Sequence, residues 1–525
     1  MRRNVVALGA VAAVVGAWLF LVARQVADGG FYSDDYGVQW DWAHDGYWGA
    51  VDTQFDALGS KPLLAFALPA PYTVFGSDPT GHHVLAAALV LATVVAFYFV
   101  LRGLRFAALD ATAIALLALL FPWASGVRLW PAGSLNNLAV LLLFSGLLVA
   151  LRGLRVAGPR GYLIHLAASA LYAASVLTYD ATTVVAAMLW PAYVWLRGWR
   201  TALPRAFMDL AAVGAAAAYT AASTYKNVAE LSDQLAHVPE ILREGADVIA
   251  ASLVPVSVPA EISPVLTVIV LGAAVAVLVI AALRGRASAG TGSGEGLRWA
   301  AVAAVALGVL ALSWAIYIPQ AFYTPTFRGL EDRVNVLALY PAVVLVWAVL
   351  RSAGGLVSRH GYPVAVAGAI AIVIGYAIQD GRQERDWAEA AEHQELVLEA
   401  VDHASPPEGS LVLTFGHPAE TAPGVPVFNA SWDLHPAAQL LGRAIHTYPV
   451  FKGARLKCSA ESLTVQRLPT PLYRVIHLDQ RGTPRTFPYS QVVFVDAETE
   501  RHAVIRTREQ CLDALSSYPP GPWRG

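Results

Sequence analysis

VLAAALVLATVVAFYFVL, residues 84–101, is an unbroken apolar run that stops on Arg102-Gly103-Leu104-Arg105. About 20 such residues in a helix cross the ~30 Å hydrocarbon core of a bilayer, and arginines at the end mark the cytoplasmic side. The pattern recurs outward in both directions. Spans are predicted near 5–24, 83–101, 107–123, 135–151, 162–178, 182–196, 207–224, 264–283, 299–318, 334–350 and 362–378, which makes about 11 crossings. A shorter apolar segment, Pro62 to Phe75, is broken by Pro69 and Pro71 and is expected in or on the membrane rather than across it. The first run follows Met1-Arg2-Arg3 and is read as an uncleaved helix rather than a signal peptide.

Composition agrees. The chain is 56% hydrophobic and 14% charged, against about 25% charged in soluble domains. A polytopic α-helical membrane protein follows. A net charge of −2 says nothing about nucleic acid, and no basic cluster suggests it, so no nucleic-acid partner is expected.

Arginine placement orients the chain. Arg102/Arg105, Arg152/Arg155/Arg160, Arg197/Arg200/Arg205, Arg284/Arg286/Arg298 and Arg351/Arg359 fall in alternate, acid-poor loops. The positive-inside rule makes these loops and the N-terminus cytoplasmic. Asp34, Asp35, Asp41, Asp45, Asp52, Asp56, Asp180, Glu230, Asp233, Glu331 and Asp332 then face outward. An odd number of spans places the C-terminal part outside the cytoplasmic membrane as well. The organisation expected is a transmembrane domain over 1–380, with a first outer loop at 25–82, and an extracytoplasmic soluble domain over 381–525.

The C-terminal part is polar, with β-like runs at Leu411–Phe415, Tyr473–His477 and Gln491–Val495, and reads as a small α/β domain. It holds both cysteines, Cys458 and Cys511; a disulfide fits an outward location, and two buried thiols are the alternative. Trp432, His435 and Tyr448 suit either sugar stacking or a core. Leu283 to Gly296, rich in glycine, reads as a cytoplasmic connector.

Chemistry gathers on the outer loops. Phe31-Tyr32-Ser33-Asp34-Asp35-Tyr36 puts two acids where the first helix leaves the membrane. Such a pair either marks a solvated helix end or supplies a base for an acceptor hydroxyl at the surface. No glycine-rich phosphate loop is present in the cytoplasmic loops, which disfavours a nucleotide-sugar donor. His44, His82 and His83 have no metal-ligand spacing.

Five segments together resemble the GT-C glycosyltransferases, polytopic enzymes that use polyprenyl-phosphate sugars; the nearest likeness is to bacterial proteins of the O-mannosyltransferase type. They are the acidic pair with the aromatic run Gln39 to Trp48; Lys61-Pro62-Leu63-Leu64 with Tyr72 to His83; Trp130 to Asn137; Leu177-Thr178-Tyr179-Asp180; and Phe327 to Val336. Lys61 stands where relatives carry Arg, His82 where Tyr is common, and the Lys-Glu of relatives is missing at Asp180.

The resemblance implies an inverting sugar transfer on the outer face of the membrane. The donor would be a polyprenyl-phosphate-linked sugar, and the acceptor a glycan, lipid or protein hydroxyl in the cell envelope. Asp34 or Asp35 would be the base. Arg333 is the first choice for the leaving phosphate, with Arg328, Lys61 and His83 behind it; an ion pair with Glu331 or Asp332, or snorkelling to headgroups, is the structural alternative for Arg333. Asp180 would line the outer cavity or simply end a hairpin. Asn136 and Asn137 suit a sugar hydroxyl, a helix cap or an interhelical pair. No cofactor is expected to be required. A divalent cation stays open, because metal-free and metal-dependent members both exist. The competing reading is a transporter or flippase of a polyprenyl-linked sugar; such proteins place charge at mid-membrane and show internal symmetry, and neither is visible here.

Overall fold

Long apolar runs can satisfy their backbone groups in lipid only as helices, so helices dominate the chain. The structure, a computed structural model, describes residues 2–224, 230–255, 264–287, 295–320, 323–357, 361–429, 431–450, 455–466 and 485–517. Among the described residues, eight helices are long and apolar enough to cross a membrane: Pro79–Gly103, Pro131–Gly153, Gly158–Thr178, Trp199–Ser223, Val265–Gly285, Gly296–Ala315, Leu339–Val357 and Gly361–Ala404. The chain is a multi-pass membrane protein. Ahead of these stands helix Arg2–Asp28, 27 residues long.

Two expected spans are shorter than the sequence suggested. The run 107–123 forms helix Ala108–Leu119, 12 residues, or about 18 Å at 1.5 Å per residue. It ends before Pro122. The run 182–196 is divided into Thr183–Ala187 and Trp190–Arg197; Pro191 cannot continue the ladder and opens the second piece. The span expected from 334 begins at Leu339, after a 3-10 turn over Leu330–Asn335. Pro62 to Phe75 folds as two six-residue helices, Pro62–Ala67 and Ala70–Phe75.

Buried charge in the helical part is paired, as lipid demands. His165 Nε2 lies 3.2 Å from Asp209, and Ser169 Oγ donates to the same carboxylate at 2.6 Å. Asp110 accepts Trp347 Nε1–H at 3.2 Å and lies 3.6 Å from Arg351. Arg128 reaches Asp380 through both terminal nitrogens, at 2.9 and 2.7 Å.

Helix Gly361–Ala404 runs for 44 residues, about 66 Å, and residue 380 lies midway along it. The chain then enters a four-stranded sheet, ordered His446–Pro449, Leu411–Phe415, Val492–Asp496, Arg501–Val504. The first three strands are parallel and the last is antiparallel. A three-stranded antiparallel sheet stands beside it: Arg455–Cys458, Ser462–Gln466 and Arg485–Pro488. Cys458 and Cys511 are disulfide-bonded, with Cα atoms 6.1 Å apart. The expected strand Tyr473–His477 lies outside the described residues, as does the centre of the connector 283–296.

This C-terminal part shares one apolar core with residues 31–72 and Trp130. Phe31, Tyr32, Tyr36 and Trp130 pack in it with Trp387, Val397, Val412, Phe428 and Val493. Tyr36 Oη donates to Gln394 at 3.2 Å, and Gln394 Nε2 donates to the Val427 carbonyl at 2.6 Å.

Candidate active site

Helix Asp34–Ala57 opens on the acidic pair, after Ser33 at a left-handed φ of 49°. Consecutive helical residues point about 100° apart, so two neighbouring acids cannot share one environment. Asp35 turns inward and is 1% exposed. Its carboxylate accepts the Tyr32 amide at 2.9 Å and the Ala132 amide at 2.8 Å. Both oxygens are thereby committed to backbone. Burial raises its pKa well above the usual range, against these two amides. The surrounding turns are pinned as well: Tyr72 Oη donates to the Asp35 carbonyl at 2.9 Å, Trp130 Nε1 to the Tyr32 carbonyl at 3.0 Å, and Tyr32 Oη to the Trp387 carbonyl at 2.9 Å.

Asp34 turns the other way and stays exposed to solvent. It is nevertheless crowded by protein: desolvation raises its pKa, while the Arg333 charge and a hydrogen bond from Ser33 pull it down.

Arg333 comes from the 3-10 turn Leu330–Asn335. Among the described residues its guanidinium donates to one side chain, Tyr323 Oη, at 2.8 Å. It also lies over the rings of Trp130 and Tyr323, at 5.5 and 5.4 Å. Burial opposes its charge, but Tyr323, Tyr179 and Asp34 more than compensate, so its pKa is raised. Among the described residues no hydrogen-bond acceptor besides Tyr323 Oη meets its guanidinium, which carries five N–H donors. The neighbouring acids do not pair with it. Asp332 accepts the Ser125 amide at 2.6 Å, the Ser125 hydroxyl at 2.7 Å and the Gly126 amide at 2.7 Å. Glu331 is exposed.

Lys61 supplies a second cation. Its Nζ is 3.9 Å from Asp180 and 4.7 Å from the centre of the Tyr179 ring. Burial works against its charge, but Asp180 and the Tyr179 and Tyr323 phenols raise its pKa overall. Tyr179 Oη and Tyr317 Oη are 3.2 Å apart. Charge coupling thus links Asp34 to Arg333, Arg333 to Lys61 and Lys61 to Asp180, with Tyr179, Tyr317 and Tyr323 among them.

The other sequence candidates lie elsewhere. His83 is buried, with Nε2 2.9 Å from the Gly30 carbonyl and Nδ1 3.4 Å from Gln25. The Arg328 charge lowers the pKa of Asp386 on the long helix, which burial raises overall. Asn136 is buried at the start of its helix, and the neighbouring Asn137 donates to the Val127 and Ser134 carbonyls at 2.6 and 3.0 Å. Among the described residues, no three His, Cys, Asp or Glu side chains gather as a metal site. The tyrosines were not singled out from sequence, since outer-face tyrosines also form the ordinary interfacial belt.

The geometry offers an accessible carboxylate near the Arg333 guanidinium, with a second cation, Lys61, coupled to that guanidinium. Such a set can take a proton from a hydroxyl and hold an oxyanion beside it.

No family model matches the sequence, and no curated protein matches it. Among solved structures the chain is similar to the oligosaccharyltransferase of Archaeoglobus fulgidus tethered with an acceptor peptide containing the NVT sequon, at 11% identity and a TM-score of 0.40. That match covers 83% of this chain and 64% of the archaeal one, so this chain spans under two thirds of that neighbour's length. It is also similar to ArnT from Cupriavidus metallidurans bound to undecaprenyl phosphate, at 14% identity and a TM-score of 0.33, over 84% of this chain and 90% of that one. Both neighbours are GT-C glycosyltransferases.

Proposed function

We propose that this chain is a membrane glycosyltransferase that moves a sugar from a polyprenyl-phosphate carrier to a hydroxyl of a glycan, lipid or protein. Its N-terminus would be cytoplasmic. Helix Arg2–Asp28 and the shorter apolar helices would complete about 11 crossings of the cytoplasmic membrane, leaving the charged site and the C-terminal domain outside. The observation that carries the reading is the contrast within the acidic pair: Asp34 is accessible opposite Arg333, whereas Asp35 is sealed by two amides.

Asp34 is the base. It removes the acceptor proton as the acceptor oxygen attacks the anomeric carbon. The bond from that carbon to the phosphate oxygen breaks, with inversion. The departing lipid phosphate takes up the bonding pair as negative charge. Arg333 and Lys61 hold that charge, Arg333 through paired N–H donors. The raised pKa of Asp34 makes it a stronger base than an ordinary carboxylate. Asp180 holds Lys61 in place, and Asp35 shapes the turn.

The test is transfer of radiolabelled sugar from decaprenyl-phosphate donors by purified protein in nanodiscs, beside Asp34→Asn, Asp35→Asn and Arg333→Ala. Loss of transfer in Asp34→Asn with donor binding intact supports the assignment. If donor binds, no acceptor is ever labelled and lipid-linked sugar crosses the bilayer instead, the protein is a flippase and the base assignment is wrong.

A further inference from the structure

The loop that carries Arg333 is gripped from two sides, and one grip belongs to the C-terminal domain. On the membrane side, Asp332 is held by Ser125 and Gly126. Asn335 Nδ2 donates to the Trp123 and Thr326 carbonyls, both at 2.8 Å. On the opposite side, strands Glu420–Ala422 and Val425–Pro426 form a hairpin that turns at Pro423-Gly424. The Gly424 carbonyl accepts the Leu330 amide at 2.8 Å.

The two backbones meet closely. Gly329 has a φ of +73°, and a Cβ on it would overlap the Gly424 carbonyl. Gly424 has a φ of +74° and packs back against the Arg328 carbonyl and the Gly329 Cα. The hairpin is itself tied down: Gly424 N–H donates to the Glu420 carboxylate at 2.9 Å, and Thr421 Oγ1 donates to the Asp386 carbonyl of the long helix at 2.7 Å.

The docked residues are the first ones of the 3-10 turn Leu330–Asn335. In such a turn residues three apart lie above one another. Leu330, whose amide Gly424 holds, is therefore on the same side of the turn as Arg333. Asp332 N–H donates to the Gly329 carbonyl at 3.4 Å across the same turn. The apolar core already joins the domain to the first outer loop; this second contact is polar, backbone to backbone, and falls on the Arg333 loop.

We infer that the Pro423-Gly424 turn positions the donor-phosphate site, with Glu420 as the positioning residue that holds the turn against Gly329 and Leu330. The inference rests on the assignment of Arg333 to the donor phosphate. It makes the outer domain a part of the donor half of the site, through a contact about 90 residues away in the chain.

The experiment uses the full chain in nanodiscs with a decaprenyl-phosphate sugar as donor, and compares Glu420→Ala, Glu420→Gln, Gly329→Ala and Arg333→Ala. Amide exchange over 328–335, steady-state transfer and thermal unfolding are read together. In Glu420→Ala and Gly329→Ala the Leu330 amide is expected to exchange about 10-fold faster. Donor KM is expected to rise about 10-fold with kcat within about twofold and acceptor KM unmoved. Glu420→Gln keeps a carbonyl oxygen for the Gly424 amide and should restore both readouts. Faster exchange at Leu330 with an unchanged donor KM overturns the inference. So does an equal loss of stability and kcat in Glu420→Ala and Glu420→Gln, which marks a merely structural contact. If Arg333→Ala raises donor KM and Glu420→Ala does not, only the positioning role falls. If Arg333→Ala leaves donor KM unchanged, the donor-site assignment falls and takes the positioning role with it.

Discussion

Replacing Asp35 should cost stability, and replacing Asp34 should cost chemistry. Asp35→Ala strands the amides of Tyr32 and Ala132, which the carboxylate accepts at 2.9 and 2.8 Å in a site 1% exposed. An unpaired buried N–H costs about 1–3 kcal/mol, so the pair costs about 2–6 kcal/mol. Asp35→Asn keeps one carbonyl oxygen and turns its NH2 toward the second amide, so it should lose about half of that, roughly 1–3 kcal/mol. Asp34 is solvent-accessible, and Asp34→Asn should change stability by no more than about 0.5 kcal/mol. Its transfer rate should fall about 10²–10⁴-fold, the usual worth of a general base. The assay is unfolding followed by tryptophan fluorescence in nanodiscs, with transfer normalised to folded protein. The stability order should be Asp35→Ala below Asp35→Asn below Asp34→Asn, the last level with wild type. Wild-type stability in Asp35→Ala, or wild-type turnover in Asp34→Asn, would refute the division of roles.

Asp34 must be ionised to act, so kcat/KM should fall as the pH drops through its raised pKa. Because Arg333 lowers that pKa, Arg333→Ala should move the acid limb to higher pH; an unmoved limb in the pH profile would separate the two residues. Arg333→Lys keeps the charge and loses the paired donors, so donor KM should rise about 10-fold or more while Asp34 keeps its pH dependence. Arg128→Ala leaves Asp380 buried without its bidentate partner and should cost about 3–5 kcal/mol; the double change to Arg128→Met and Asp380→Leu should recover most of it in the same unfolding assay. Cys458→Ser removes a bond between residues separated by 53 positions, worth up to about 4 kcal/mol by chain entropy. Limited proteolysis should then cut the C-terminal domain first and spare the helical part.

The membrane class was legible in the sequence because desolvation acts on each apolar run by itself: 84–101 needs no partner to be a bilayer helix. The ends of such runs were less legible. Nothing in the hydropathy of 107–123 says that the helix stops after 12 residues, and the break between Ala187 and Trp190 depends on how Pro191 is seated. Charge placement grouped Asp34, Lys61, Asp180 and Arg333 on segments between apolar runs, since charges and turn residues are local signals. It also put His83 and Arg328 in the same group. The fold gives them other partners: His83 meets Gly30 and Gln25, and the Arg328 charge acts on Asp386.

A multi-pass helical protein, a polar, strand-bearing C-terminal part and a charged set between the apolar runs were thus readable from the chain alone, because each follows from what a stretch of side chains does in lipid or water. Only the tertiary structure decided which acid of an adjacent pair is available. Asp34 and Asp35 are chemically identical and consecutive, and what separates them is the amide of Ala132, which lies 97 residues away from Asp35. Only the fold, likewise, brought Gly424 onto the loop of Arg333. Such assignments depend on hydrogen-bond partners distant in the chain, and those partners meet only when the helices have packed.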